Sequence, residues 1–207
     1  MVDKNELRKR LLKKAKQQIE ENLSETEVHI IKSVRVLDDL DEIINLMREN
    51  SVDWVKRGPI GDAQKQLHKL QLNIENIEKE KIELSEFIEA NMQKELPTFS
   101  TLAGAVLGAR LLAEAGSKKR LAFCPSSTMQ VLGAEKALFN HLKRKADCPK
   151  HGHIFNHPLI QKIPKPKRGK AARILAGKLS IAAKLDYFGT ELNLNLKKEV
   201  ENKINKL

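Results

Sequence analysis

Apolar residues recur at steps of three and four through the first half of the chain. From Leu67 they fall at Leu67, Leu70, Ile74, Ile77, Leu84 and Ile88, and Lys81 takes the one seat that interrupts the row. This is a heptad seam, the repeat that keeps one side of a helix against a partner helix. A second seam precedes it, made of Ile30, Leu37, Leu40, Ile44 and Met47, with Val34 beside its first step. Gly58-Pro59 and Gly61 break the pattern between the two, and Asp62 stands where it can cap the second helix. Ser24, with Glu27 three residues on, reads as a capping box opening the first. Two helices that each carry one narrow seam and share a short turn are satisfied by folding back antiparallel. At about 30 residues each they would form an arm roughly 45 Å long.

Ahead of the arm, Leu7, Leu11, Leu12 and Ile19 are interleaved with Lys4, Arg8, Lys9, Arg10, Lys13, Lys14 and Lys16. This predicts a basic amphipathic helix over 1–24. It suits a nucleic acid or a membrane surface, and equally a place against the base of the arm.

After Pro97 the pattern changes. Residues 101–115 read as one helix rich in small side chains, Gly104 and Gly108 among them, with Gly116 as its C-cap. The run from Pro125 to Thr128 supplies the next helix start. Gly133 then breaks or kinks the chain, so the helix that follows presents free N–H groups, with Lys136 adding charge beside them. That is a natural phosphate contact; the competing reading is an ordinary helix with one glycine. A last Ala-rich helix is expected over 171–188, bearing Arg173, Lys178 and Lys184, and a helical tail over 189–207. The predicted fold is all-α: a long antiparallel coiled-coil hairpin over 25–96, then a compact helical domain over 97–188.

Charge sharpens the division. Residues 1–96 hold 17 basic and 20 acidic side chains, and residues 97–207 hold 21 and 7. Between Lys118 and Lys184 there are 16 basic residues against two acids, Glu135 and Asp147. A net charge of +11 concentrated in this way points to a polyanion as partner. Three clusters stand out in Pro/Gly-bearing stretches read as loops: Lys143-Arg144-Lys145, Lys150, and Lys165-Pro166-Lys167-Arg168-Gly169-Lys170. Loops of this kind follow a phosphate backbone. With only 4% aromatic residues, stacking platforms for sequence-blind single-strand binding are scarce, so recognition of a structured RNA fits better.

Other classes are less well served. Cys148, His151, His153 and His157 crowd into ten residues, without the separated ligand pairs that a closed zinc site favours. The two acids between Lys118 and Lys184 offer the histidines of that stretch no evident orienter, so no catalytic group, metal or cofactor is expected. No stretch of about 18 apolar residues exists, and two cysteines make no disulfide framework; a reducing, cytoplasmic setting is expected.

Several strings resemble the Nop-domain family of archaeal and eukaryotic box C/D ribonucleoprotein core proteins and the related spliceosomal pre-mRNA-processing factor. They are Gly108-Ala109-Arg110-Leu111-Leu112 with Ala115-Gly116-Ser117, then Leu132 through Phe139, then Pro149-Lys150-His151-Gly152-His153-Ile154. Lys170-Ala171-Ala172-Arg173 continues the series through Ser180 to Asp186, and Leu37 to Leu46 resembles the family's coiled-coil opening. The resemblance covers about residues 25–188. It implies recognition of a kink-turn RNA together with a small ribosomal-protein-like kink-turn-binding protein, as in small nucleolar ribonucleoprotein or pre-mRNA-processing particles. By similarity the Gly133–Lys136 turn and the following segment approach the RNA, and residues 149–152 face the composite surface. The family often carries Arg where this chain has Asn140. The candidate interface is therefore Gly133, Ala134, Glu135, Lys136, Phe139, Asn140, Lys143, Arg144, Lys150, His151, Lys165, Lys167, Arg168, Lys170 and Arg173. Box C/D core proteins carry an N-terminal domain that docks the fibrillarin methyltransferase. Only some 24 residues precede the arm here, so a stand-alone Nop-domain protein, closer to the splicing-factor branch and from an archaeal source, is expected. Homodimerisation through the hairpin is a further partner reading, and a non-catalytic scaffold with a basic face is the alternative function.

Overall fold

A computed structural model describes residues 4–24, 26–144, 146–190 and 192–207, and leaves aside the side chains of residues 4 and 17–24. Among the described residues there is helix and no strand. Helix α1 spans Lys4–Ser24, α2 Thr26–Lys56 and α3 Asp62–Glu95. Partner positions on α2 and α3 run in opposite directions: Asp41 pairs with Lys81 and Arg48 with Glu78. The hairpin is therefore antiparallel. All seven seats of the α3 seam, and all six of α2, are buried or half-buried. Lys81, the polar seat, is accommodated because Asp41 meets its ammonium across the seam.

The ends of the arm helices differ from expectation. Gly61, at φ 63°, is the N-cap of α3, and Asp62 makes no capping bond. Asp62 lies one residue inside the helix, where its carboxylate favours the N-terminal dipole and pairs with Lys65 at 3.0 Å. The Ser24 half of the expected capping box lies outside the described side chains. Glu27 accepts the backbone N–H of Lys118 at 3.0 Å across the molecule. In α1 the apolar residues Leu7, Leu11 and Leu12 are exposed.

Beyond Leu96 come α4 (Pro97–Ala103), α5 (Ala105–Ala115), α6 (Lys118–Ala122), α7 (Ser126–Val131) and α8 (Glu135–Arg144). A 3₁₀ turn over His153–Asn156 follows, then α9 (Pro158–Gln161), α10 (Lys165–Tyr187) and α11 (Asn195–Asn205). The single small-residue helix expected over 101–115 is two helices. Gly104 takes φ 85°, a conformation a glycine accepts without penalty, and the chain turns there. Gly108 does provide the expected close approach: a Cβ there would sit 2.9 Å from the Met92 methyl and 3.5 Å from the Phe99 ring. Gly116 closes α5 in the left-handed region, its N–H bonded to Leu112.

α10 is the axis of the body. Ala171, Ala172, Leu175, Ala176, Leu179, Ala182 and Ala183 are fully buried along it, so small side chains let α4, α6 and α7 approach closely. One hydrophobic core runs from Ile30, Val34, Leu37, Ile88 and Met92 of the arm's base, through Phe99, Leu111 and Leu112, to Leu196, Val200 and Ile204 of α11. The bounds expected at 96/97 and 188/189 thus mark breaks in helices and leave the core continuous. Arg110 adds a polar tie between body and arm, donating from Nε and Nη2 to Asp38 at 2.8 and 2.5 Å. Among the described residues no helix is long and apolar enough to cross a membrane.

Candidate nucleic-acid interface

The Gly133 turn and the 149–152 loop lie together, held by backbone bonds, and the start of α10 approaches the same loop. The α7–α8 turn and the loop at 149–152 run side by side: Gly152 N–H donates to Gln130 O at 2.9 Å, and His153 N–H to Leu132 O at 2.7 Å. Gln130 answers through its side-chain amide, which donates to Lys150 O at 2.7 Å. Gly169 of α10 faces the same loop, at a distance where a Cβ would make ordinary contact, 3.7 Å from the Lys150 side chain. Such close approach is possible because Gly133 and Gly152 carry no side chain. A Cβ on Gly152 would stand 1.9 Å from Leu132 O, and one on Gly133 would stand 2.2 Å from the His153 ring. Gly133 also takes φ 84°, which turns the chain sharply into α8.

At the start of α8 the first intrahelical bond runs from Leu138 N–H to Ala134 O at 2.9 Å. The N–H groups of the turn before it point out of the helix N-terminus, beside the exposed Lys136. Glu135 has a different part. Its carboxylate folds back to accept Gly133 N–H at 2.7 Å, and so braces the turn. Ala134 is half-buried under it. α8 buries none of its residues, and Phe139 and Leu142 are 55% and 73% exposed. Lys143 lies over the Phe139 ring at 4.4 Å, Asn140 and Arg144 are exposed, and Lys145 falls outside the described residues. The Lys143-Arg144 cluster, read from sequence as a loop, is the last turn of this helix, where cations oppose its negative end.

The Lys165–Lys170 cluster is also helix rather than loop. Pro166 lies in the first turn of α10, a position with no N–H to lose, so the proline starts the helix instead of excluding it. Lys165 and Lys170 are exposed, whereas Lys167 donates to the Leu207 backbone oxygen. Arg168 is committed to structure: Nε donates to Ile163 O at 2.8 Å and Nη2 to Gln161 O at 3.2 Å, with its guanidinium 5.4 Å from the Phe155 ring. His151 stacks on the same ring at 4.7 Å. Burial lowers the His151 pKa, with the charges of Arg168 and Lys150 acting in the same direction. The imidazole is therefore predominantly neutral at pH 7. Arg173 is exposed farther along α10 and lines a shallow groove with Lys203.

The four sulfur and imidazole groups of the crowded 148–157 segment go separate ways. Cys148 is exposed, and His153 meets Glu114 at 3.3 Å, an acid from α5 that lies outside the basic run. His157 is buried at the head of α9: Nδ1 accepts Leu159 N–H at 3.2 Å and Nε2 donates to Leu102 O at 3.0 Å. Among the described residues no three His, Cys, Asp or Glu side chains come together as a metal site. Burial pushes the His157 pKa down from its ordinary 6.5. A proton on Nδ1 would set a donor against the Leu159 N–H. A group depressed in this way gives stability that is complete above pH 6.5 and declines as pH falls toward its folded-state value. Between about pH 7.5 and about pH 5.5 the urea midpoint should therefore fall. In His157→Asn, which keeps an acceptor at the helix N-cap, the fall should be smaller; an undiminished fall would assign it to other groups.

Sequence reading missed Gln130, Glu114 and Phe155, which position the site without carrying its charge. Only the Gln130-x-x-Gly133 spacing hints at the first.

Residues 38–206 match the family model Nop, described as "snoRNA binding domain, fibrillarin". The chain belongs to the Nop family. A NOP5 family protein of Methanocaldococcus jannaschii is 51% identical over 132 residues, covering 62% of this chain and 32% of that protein. Nucleolar protein 58 of Yarrowia lipolytica is 41% identical over 60% of the chain and 25% of its own length. Mouse nucleolar protein 56 is 36% identical over 72% of the chain and 28% of its own length. The Nop chain therefore spans about a third or less of these relatives. The crystal structure of a fibrillarin/Nop5p complex is similar over 98% of this chain and 78% of the matched chain, with a TM-score of 0.71 and 33% identity. The all-α reading agrees with the helices of this chain and with its similarity to that structure.

Proposed function

We propose that this Nop chain is a non-catalytic ribonucleoprotein assembly factor that reads a kink-turn RNA together with its small ribosomal-protein-like binding protein. The observation that carries the reading is the joining of the Gly133 turn, the 149–152 loop and the start of α10 into one cationic face, beside a helix, α8, that buries nothing of its own. Lys136, Lys150, Lys165 and Lys170 are exposed cations of that face and serve phosphates, and Arg173 extends it. Phe139 and Leu142 offer apolar surface that a phosphate chain does not use, so they suit the protein half of a composite partner. Membership of a small nucleolar particle is supported by the family description and the relatives' names, and an archaeal source by the Methanocaldococcus relative; a pre-mRNA-processing particle rests on the sequence resemblance alone, and all three are part of this proposal.

A gel-shift titration tests it. The chain should add a further shift to a preformed kink-turn RNA–protein complex at moderate salt. Lys136→Ala should weaken that shift and lower its dependence on log salt by about one unit. No added shift on the preformed complex would sink the reading. A second reading, a scaffold that pairs through its arm, is favoured by one observation: Val36, Ile43 and Leu46 on α2, with Ile82 and Phe87 on α3, remain exposed. Light scattering on the same samples separates it, because a scaffold would be dimeric and indifferent to the RNA.

A further inference from the structure

Three of the chain's eight aromatic rings meet at the opposite end of α10 from the interface above. Phe123, just past α6, stands 5.7 Å from Tyr187 and 6.1 Å from Phe188, and those two are 5.3 Å apart, all at near-perpendicular angles. Edge-to-face contacts of this kind leave ring faces open. Phe123 is 58% exposed and Phe188 65%. The core does not require them there.

Their surroundings are cationic. Phe123 N–H donates to Lys119 O, and Phe188 N–H to Lys184 O, so each exposed ring has an exposed lysine one helical turn below it on the same side. Arg120 is exposed between them in sequence. Asp186, the one acid within the described residues of these two segments, faces inward, where its carboxylate accepts Thr98 and Phe99 N–H. Exposed rings flanked by Lys119 and Lys184, with no outward acid among the described residues of their two segments, match the chemistry of unpaired nucleotides: bases stack on the rings while phosphates meet the ammonium groups. An acidic apolar peptide would share the charge but not the need for open ring faces.

We propose that Phe123, Tyr187 and Phe188, with Lys119 and Lys184, form a stacking platform for single-stranded RNA, separate from the face that reads the folded RNA. α10 joins the two. Its 23 residues span about 34 Å, with Lys170 and Arg173 exposed near one end and Lys184 near the other. A single-stranded extension leaving the folded RNA along α10 would reach the rings.

The test uses two probes on the full chain. The first is a uridine hexamer carrying one 4-thiouridine, cross-linked by light and mapped by mass spectrometry. Cross-links should fall on the peptides bearing Phe123 or Phe188 and should be lost in the Phe123→Ala/Phe188→Ala double variant. Phe188→Trp, which keeps a ring, should retain them. The second is a folded RNA with and without a single-stranded tail. The tail should raise affinity by about tenfold in the wild type and not in the double variant. Hexamer cross-links confined to other peptides, or a double variant that retains them, overturn the platform. If the variant loses capture of an acidic peptide while its RNA cross-links persist, the patch is a protein site and the proposal fails. Because the hexamer has no fold, this outcome is independent of whether the kink-turn reading stands.

Discussion

Replacing Gly152 by Ala should abolish binding of the folded RNA complex and lower stability by on the order of 3 kcal/mol. The reason is steric and local. The new Cβ would lie 1.9 Å from Leu132 O and 2.7 Å from its carbonyl carbon, both backbone atoms that no rotamer change can move. The 149–152 loop must then separate from the α7–α8 turn. Separation breaks the bonds from Gly152 N–H to Gln130 O and from His153 N–H to Leu132 O, and pulls Lys150 O from the Gln130 amide. Lys150 and His151 leave the face, and the turn that aims Lys136 loses its support. Urea denaturation would report the stability and a gel shift the binding. Since α10 and all of the core but Leu132 lie away from the clash, helical circular dichroism should remain near the wild-type value at low temperature. A variant that binds normally would show that the two segments need not be joined for recognition. Gly169→Ala is the control: its Cβ finds ordinary contact at 3.7 Å, so binding should change little.

The second large effect is expected at Asp186. Its carboxylate, buried at 7% exposure, accepts Thr98 N–H at 3.0 Å and Phe99 N–H at 2.8 Å. Those are the first donors of α4, whose own N-cap residue, Leu96, offers no side-chain acceptor. An acid 88 residues downstream thus caps the helix that follows the arm. Asp186→Ala leaves two buried donors without a partner and removes a charge from the positive end of the helix, a loss of roughly 3 kcal/mol. Asp186→Asn keeps one acceptor oxygen and should recover about half. Thermal melts of the three proteins would check the order. Equal melting temperatures for wild type and Asp186→Ala would mean that water satisfies those donors.

How much of this was legible beforehand depends on whether the determining contacts were local. The seams of α2 and α3 were readable seat by seat, because a heptad is a statement about neighbours three and four residues away. Lys81 was visible as an interruption, and its partner Asp41 was not, since pairing across a hairpin depends on register. The proline at Lys165-Pro166 misled in the other direction: proline reads as a breaker, yet in a first turn it is a starter, and α10 begins six residues earlier than expected. The break at Gly104 was hidden because a glycine in a run of small helix formers carries no local mark of positive φ. In the candidate interface the charges were legible and their supports were not. Lys136 and Lys150 announce themselves, whereas Gln130, Glu114 and Phe155 act through partners 20, 39 and 4 residues away that only the fold brings near. The aromatic trio is the clearest case. Few rings in a composition suggested no stacking surface, but 64 residues of chain return Phe123 to Tyr187.

The seating of the arm has a mechanical consequence. Ile30, Val34, Leu37, Ile88 and Met92 are sealed into the same core as Leu111 and Leu112, and Arg110 clasps Asp38 just above. No swivel separates the hairpin from the body. The arm behaves as a lever cast in one piece with its fulcrum: a load at the Gly58–Gly61 tip is felt at α5, and through Glu114 at the His153–Gly133 contact. A particle built on this chain inherits a fixed bearing between whatever grips the tip and whatever sits on the cationic face.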